Sequence, residues 1–455
     1  MKHAIVMGGS MAGLLAARTL CDHFDQVTLV ERDEFPEGID HRRGVPQGKH
    51  SHGLLAGGRE EIERMFPGIS RELEEAGALT GDISAQSRWF FEGGCLAKDN
   101  SGLQALAMSR PMLESFVRRR VLALPQVTAR QGCQVEGLIT MSSSDGGIRR
   151  VTGVQLADGT QSGNSISGDL IVDATGRGSK SNQWLPALGF PAPAEEKVEV
   201  ALGYTTRHFR RDPTAMDGDF VAIIPPTPSG KRGGVMIAQE GGRWTVTLIA
   251  HFVKSAPEEL TGFIEFTRGL PAPYIYDVIS KAEPIGDAVC ARMPFSLRRR
   301  YERLDRFPEG YLVIGDAICS FNPIYGQGMS VAAQEARVLG ETLSQSHENL
   351  AKRFFAKAAK VVDNPWAIAT GNDLRMPEAT GIRPPGTDLI NWYISKLHRA
   401  AHTDPELAFA FHRVANLLAP PPSLMHPRLA LRVLRGSLRP GGTSTYAERP
   451  TVEMN

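Results

Sequence analysis

Two glycine-rich turns, each behind a short apolar run, hold the residues of this chain best suited to chemistry. The first reads Gly8-Gly9-Ser10-Met11-Ala12-Gly13; it follows Ala4-Ile5-Val6-Met7 and leads into Leu14 to Leu20 at helical spacing. A second apolar run, Val27-Thr28-Leu29-Val30, ends on Glu31, with Arg32 behind it. Strand, glycine turn, helix, strand and acid in that order form a dinucleotide-binding βαβ unit. Gly8 allows the tight turn out of the strand, and Gly13 lets the helix lie close to the sheet. The helix start, Ser10 to Ala12, offers free N–H groups and the positive end of a dipole to a pyrophosphate. Glu31 offers a carboxylate to two ribose hydroxyls, with Arg32 as a neighbouring binding candidate. Ser10 occupies the place of the middle glycine and still permits close backbone approach. The unit by itself does not separate FAD from NAD.

The second turn follows Gly310-Tyr311-Leu312-Val313-Ile314, which reads as another buried strand. It continues as Gly315-Asp316-Ala317, then Pro323-Ile324-Tyr325-Gly326-Gln327-Gly328-Met329-Ser330, and then a helix to about Leu343. A carboxylate at a strand end, followed by a helix start that can hold an anion, makes a second polar-ligand site. Gly-Asp-Ala followed by Pro-x-x-Gly-x-Gly-Met resembles the flavin-contacting motif of the FAD-dependent monooxygenases of the para-hydroxybenzoate hydroxylase-like superfamily. The resemblance implies FAD as cofactor, Asp316 at the ribityl chain, and Gly328 and Met329 at the pyrimidine edge of the flavin, with Gly326 a further cofactor-binding candidate. It further implies Arg110, in Arg110-Pro111-Met112-Leu113-Glu114, at the cofactor phosphates, and the Val135 backbone at the adenine. The segment Leu170 to Ser179 resembles the strand and loop under the flavin. Where many relatives have Asp-Gly and a later arginine, this chain has Thr175-Gly176 and Asn182. Reducing equivalents are therefore expected from NADH or NADPH, either directly or through a partner flavin reductase.

Arg42-Arg43-Gly44-Val45-Pro46-Gln47-Gly48-Lys49-His50-Ser51-His52, read with Thr-Gly-Arg-Gly-Ser and Phe-Asn-Pro-Ile-Tyr-Gly-Gln-Gly-Met, resembles the polyether (lasalocid-type) epoxidase subgroup. That likeness brings Arg43, Val45 and Gln47 beside the flavin; Val45, Gln47 and Pro323 are the flavin-side candidates, with no catalytic acid or base assigned. It implies an enzyme that transfers one oxygen atom of O2 through a flavin C4a-hydroperoxide, by epoxidation or hydroxylation of a lipophilic polyketide- or terpenoid-like substrate. The lack of an acid–base set in the sequence favours oxygen transfer to an alkene. Two alternatives stand beside it: a flavin-dependent alkene reductase resembling geranylgeranyl reductase, and a non-redox flavoprotein cyclase. The halogenase Trp-x-Trp-x-Ile-Pro signature is missing; the nearest segment reads Gly242-Arg243-Trp244-Thr245-Val246.

These residues need a scaffold. The expected fold is α/β: a Rossmann-like FAD-binding domain with an inserted antiparallel β-sheet substrate domain and a helical C-terminal region. The expected division is 1–80, 107–194 and 295–350 for cofactor binding, 81–106 and 195–294 for the substrate sheet, 351–438 for the helical region and 439–455 for a flexible tail. Helices are predicted at His52 to Met65 and Arg110 to Leu124. Strands are predicted at Val127 to Leu138 and Arg149 to Leu156, the latter followed by a hairpin turn at Ala157-Asp158-Gly159-Thr160. Alternating strands are expected at Val200 to His208, Phe220 to Ile224, Gly233 to Gln239 and Arg243 to His251, with Trp89 to Phe91 as a further strand.

Composition is ordinary: 455 residues, 42% hydrophobic and 22% charged, with a formal net charge of +1. This argues for several cooperating domains and against nucleic acid as a partner. Five scattered cysteines without a CxxC pair read as reduced thiols, and Cys319 as a small packed thiol rather than a flavin link. No integral membrane segment and no signal peptide are read, so a cytoplasmic protein is expected. His50 and His52 share a face if extended, but lack the further ligands a metal needs. The arginine runs 118–120 and 298–300 read as solvated faces, one of the first run helping with phosphate. Leu429 to Arg439 is expected to pack its leucines on the body of the protein, a membrane contact being the less favoured reading.

Overall fold

Residues 1–142, 149–157 and 165–437 are described by the computed structural model. The Asp158-Gly159-Thr160 part of the expected hairpin and the segment Arg439 to Asn455 lie outside them. Five apolar segments form one parallel sheet, in the order Tyr311–Val313, Leu170–Asp173, His3–Met7, Gln26–Val30, Val127–Arg130. A parallel sheet is covered on both faces, so its strands lack polar alternation; Ala4, Ile5, Val6 and Met7 have no exposed surface. Because the strands run the same way, the turns after Met7, Asp173 and Val313 all leave the same edge. That shared edge brings the two glycine-rich turns together. The helices they start, Met11–Leu20 and Gly328–Gln345, pack against each other.

A second sheet roofs this edge. Its eight strands run in the order Cys319–Ser320, Pro284–Arg299, Glu195–Arg210, Arg243–His251, Arg232–Gln239, Val221–Ile224, Ser87–Phe91, Gly94–Cys95. All pairs are antiparallel except Val221–Ile224 with Ser87–Phe91. Arg298 and Leu297 pair with Cys319 and Ser320, which ties the roof to the turn carrying Asp316. The architecture is the expected one: a parallel α/β layer, a large antiparallel sheet and a C-terminal set of helices, Leu350–Asp373, Thr387–Ala401, Pro405–Ala415 and Pro427–Ser437. No helix among the described residues is long and apolar enough to cross a membrane.

Four local expectations need correction. The single strand expected from Val127 to Leu138 is two: Val127–Arg130 closes the parallel sheet, and Val135–Ser142 joins a separate three-stranded sheet. The break falls at Gly132, whose φ of +64° suits glycine. The region expected to be all strand carries two helices, Leu260–Arg268 and Tyr274–Ile279. Glu259 caps the first through the N–H groups of Thr261 and Gly262, and Phe263 and Phe266 are buried against the sheet. The helix expected from His52 begins only at Ala56, since Ser51 is held extended by Thr247 and Leu54 by Leu106. Neither arginine run is wholly a solvated face. Arg298 (2% exposed) pairs with Asp363 at 2.7 Å, and Arg299 donates to the Ala317 carbonyl at 3.0 Å, bracing the Asp316 turn. Arg118 is buried and donates to the Pro36 carbonyl, while Arg119 and Arg120 pair with Glu72. Helix Pro427–Ser437 packs Leu429 and Val433 on the helical region but leaves Leu431 and Leu434 about half exposed.

Candidate functional site

At the first turn, steric limits come before electrostatics. A Cβ on Gly13 would sit 1.7 Å from the Gly8 carbonyl oxygen, and one on Gly8, at φ +98°, would sit 2.6 Å from that of Ala174. Both contacts are with backbone, so only glycine lets strand, helix and the Ala174 loop meet. Glu31 is buried and accepts hydrogen bonds from the N–H of Gly9 (2.6 Å) and of Asp33 (3.0 Å). Arg42 bridges Glu31 (3.3 Å) and Glu114 (2.6 Å) and donates to the Gly9 carbonyl. Glu114 also takes hydrogen bonds from the Ser10 hydroxyl (2.9 Å) and from Arg110 (3.0 Å), while Arg110 donates to Ser10 (2.8 Å). Ser10 is thus more than a tolerated substitute for glycine: its hydroxyl links the arginine and the glutamate. Burial by itself raises the Glu114 carboxyl, but Arg110 and Arg42 reverse this and hold it below the usual carboxylate range.

The second turn is built differently. A Cβ added to Gly315, at φ +71°, would sit 2.7 Å from the Ala12 methyl, and the Gly315 N–H donates to Glu335 at 2.6 Å. Glu335 lies on the helix Gly328–Gln345, fully buried, and burial pushes it up to about 8 despite that hydrogen bond. Asp316 has no hydrogen-bond partner among the described residues; burial raises it, against the pull of Arg110 and Arg177. Helix Gly328–Gln345 has no side-chain cap and no acid in its first turn. Behind Pro323, Asp373 accepts from the Asn322 amide (2.8 Å) and the Tyr325 hydroxyl (2.9 Å). Asp373 is 2% exposed, its second oxygen has no partner, and burial pushes it up to about 7. Between the two turns, Asp173 accepts from Thr175, Ser179 and Tyr311 and fixes the Thr175-Gly176 loop; Asn182 turns away to Glu195.

One cavity of about 2160 Å3 joins these parts. Of the sequence candidates, Ser10, Met11, Ala12, Gln47, Arg110, Asp316, Pro323, Gly326, Gly328 and Met329 line it. Gly8, Gly13 and Glu31 shape the first turn without lining the cavity, and Val45 is buried off the wall. Val135 begins a strand near Glu31, since Cys133 donates to the Glu31 carbonyl, but it is not on the wall. Arg32 and Arg43 are exposed and do not line it; the arginine that turns inward is Arg42. Cys319 is buried off the wall, its thiol raised by burial.

The two histidines part company. His50 meets Thr206 at 2.8 Å in the roof, while His52 donates from Nδ1 to the His50 carbonyl at 3.0 Å, leaving Nε2 as an acceptor. Burial lowers both to about 4, so both are neutral at pH 7.

Arg42 and Glu114 stand inside the quoted motifs without a role of their own, and Glu335 and Asp373 stand outside them. Glu335 had a signal, as a lone acid among the apolar residues Val331, Ala332, Ala336 and Leu339 of one helix. Asp373 had none, being 51 residues from its partner Asn322.

No protein-family model matches the chain. Protein Rv3254 of Mycobacterium tuberculosis is 34% identical over 442 residues, covering 91% of this chain and 90% of its own. A kynurenine 3-monooxygenase of Caenorhabditis briggsae is 27% identical over 177 residues, 38% of this chain and 36% of its own. Among solved structures, a flavoprotein/dehydrogenase from Cytophaga hutchinsonii superposes with a TM-score of 0.65 at 14% identity, over 96% of this chain and 99% of its own. PqsL, a probable FAD-dependent monooxygenase from Pseudomonas aeruginosa, gives 0.59 at 16% identity, over 82% of this chain and 98% of its own. The chain belongs to the family of the mycobacterial protein Rv3254, built on the fold of the FAD-binding flavoprotein monooxygenases.

Proposed function

We propose that this protein is an FAD-dependent monooxygenase acting on a lipophilic substrate by epoxidation or hydroxylation. The observation that carries the reading is the meeting of two uncapped helix starts, Met11–Leu20 and Gly328–Gln345, at one cavity with the unpartnered Asp316 between them. FAD fits this donor set. The N–H groups at Ser10 to Ala12 and the Arg110 guanidinium suit its diphosphate. Asp316 suits a hydroxyl of the ribityl chain, and the N–H groups at Gly328 and Met329 suit the electron-rich edge of the ring. When bound, FAD supplies the electron transfer and the activation of O2. The names of the kynurenine monooxygenase and of PqsL support the same class.

The chain's own residues position and protect. The roof strands Glu195–Arg210 and Arg243–His251 shield the cavity from water and hold Tyr204, Thr247 and Ile249 over it. The Tyr325 hydroxyl donates to Asp373 Oδ1, so a proton can be held on this pair next to Pro323. Hydroxylation of a substrate with an acidic hydroxyl would use that pair, whereas epoxidation of an alkene needs only dry positioning. Thr175-Gly176 leaves NADH, NADPH and a separate flavin reductase as candidate donors. The Arg42 to His52 segment keeps the polyether epoxidases as the subgroup proposed.

The test is incubation of the FAD-loaded protein with polyketide and terpenoid alkenes and phenols under 18O2, with NADH, NADPH or a flavin reductase as donor. One 18O atom in the product is expected. Anaerobic conversion of alkene to alkane would establish the reductase instead, and conversion with a non-reducible flavin analogue the cyclase.

A further inference from the structure

The cavity is larger than one ligand requires. Pockets for small molecules and cofactors run from about 300 to 1,000 Å3, and this one is about 2160 Å3. Beyond Tyr325 and Asp373 it continues past the end of helix Leu350–Asp373 into a chamber between the strand Ser87–Phe91 and the helices Thr387–Ala401 and Pro405–Ala415. Rings stand on one side of it, beside aliphatic and polar residues such as Ile390, Asn391 and Met425. Phe91 stacks on His398 at 4.4 Å and meets Phe411 edge-on at 5.3 Å; Trp89 lies nearly parallel to Phe91 at 6.2 Å. Trp89, Phe91, Phe411 and Ile394 are only partly covered by protein, whereas His398, Val414 and Leu424 beside them are buried. The wall is uncharged: burial lowers His398 to about 3, and neither of its nitrogens has a partner. The charges at the chamber's edge are paired with one another, Glu92 with Arg375 at 3.0 Å and with Arg399 at 3.4 Å. Partly covered faces and edges of rings favour flat π systems over flexible chains, since they add stacking to plain apolar burial.

We propose that this chamber is a second binding site, which holds an uncharged, planar, fused-ring aromatic molecule while the Gly8 to Met329 end holds FAD. The inference rests on the flavin reading and narrows its substrate to an aromatic, polycyclic member of the lipophilic class.

The test uses the FAD-loaded protein and two probes with equal carbon number and one hydroxyl each, 2-naphthol and 1-decanol, titrated by calorimetry. The double variant Phe91→Leu, Phe411→Leu keeps apolar bulk but removes two rings. It is expected to weaken 2-naphthol about tenfold, the scale of two lost aromatic contacts, while 1-decanol changes less than about twofold. Equal losses for both probes, no loss for either, or displacement of FAD by 2-naphthol would overturn the chamber. Should the double variant not fold, energy transfer from Trp89 to bound 2-naphthol is the second measurement: it is expected in the wild type and reduced in Trp89→Phe, and an unchanged signal overturns the proposal. Visible flavin absorbance in the same wild-type sample separates the two readings. Absent FAD there counts against the cofactor assignment, whereas retained FAD with no selective loss counts against the chamber alone.

Discussion

At the Gly8 end of the cavity, the carboxylates Glu31 and Glu114 face Arg42, Arg110 and Arg118 within 4.0 Å. At the Met329 end, Glu335 and Asp373 have hydrogen-bond donors but no ion pair, and Asp316 has neither. Both ends are helix starts under the same roof, and both bury acids. What differs is whether guanidinium groups come with them. Where they do, Glu114 is held ionised; where they do not, burial decides, and Glu335 and Asp373 are pushed up to about 8 and about 7. The first end is suited to holding a fixed anion, the second to gaining and losing protons near neutral pH.

The largest expected effect comes from neutralising one acid at each end. Glu114→Gln leaves buried arginines uncompensated and should cost about 3–5 kcal/mol in denaturant unfolding. Asp373→Asn keeps an acceptor for Tyr325 and should cost less than about 1 kcal/mol at pH 6, where Asp373 is already mostly protonated. Equal losses would erase the contrast between the ends.

Next is the pH dependence. Glu335 and Asp373 titrate above their unfolded values of 4.5 and 3.8, so the native state binds more protons in the interval between. Stability is then greatest below about pH 4 as far as these two groups are concerned, and falls as pH rises through about 7 to 8. Their contribution is on the order of a few kcal/mol. Calorimetric melting from pH 5 to 9 should show Tm falling, with a shallower slope in Glu335→Gln. A slope unchanged by that variant would mean Glu335 is not the group titrating.

A smaller effect concerns the cofactor. Asp316→Asn breaks no contact within the protein, so Tm without FAD should hold or rise, while FAD affinity drops roughly tenfold, as for loss of one charged hydrogen bond. Equilibrium dialysis against FAD decides this, and unaltered affinity would remove Asp316 from the site. Smallest is Ser10→Gly, which restores the third glycine but removes the hydroxyl between Arg110 and Glu114. A loss of about 1 kcal/mol is expected in denaturant unfolding; a gain would show the hydroxyl to be incidental.

Much of the scaffold was legible. The Gly8 and Gly315 turns, the strands around them and the helices behind them follow from glycine constraints and apolar runs, which act over a few residues. The strand Arg243–His251 was read to its ends, and the roof was recognised as antiparallel. The two helices at Leu260–Arg268 and Tyr274–Ile279 were overlooked because they lie inside a region of alternating strands, although the Glu259 cap and the spacing of Phe263, Phe266 and Leu270 marked the first. The resemblance names Arg43, and the chain's path leaves it exposed while burying its neighbour Arg42, which local sequence does not determine.

What the sequence by itself determined is the pair of turns and the buried strands that lead into them, because steric exclusion at Gly8 and Gly13 and the apolar runs of strands are local properties. What only the tertiary structure decided is the electrical state of the cavity and its reach. Arg42 meets Glu114 from 72 residues away, Asp373 meets Asn322 from 51, and Phe91 of the roof sheet meets Phe411 of a C-terminal helix. A carboxyl's charge depends on burial and on the cations beside it, and both are set by packing between segments distant in the chain.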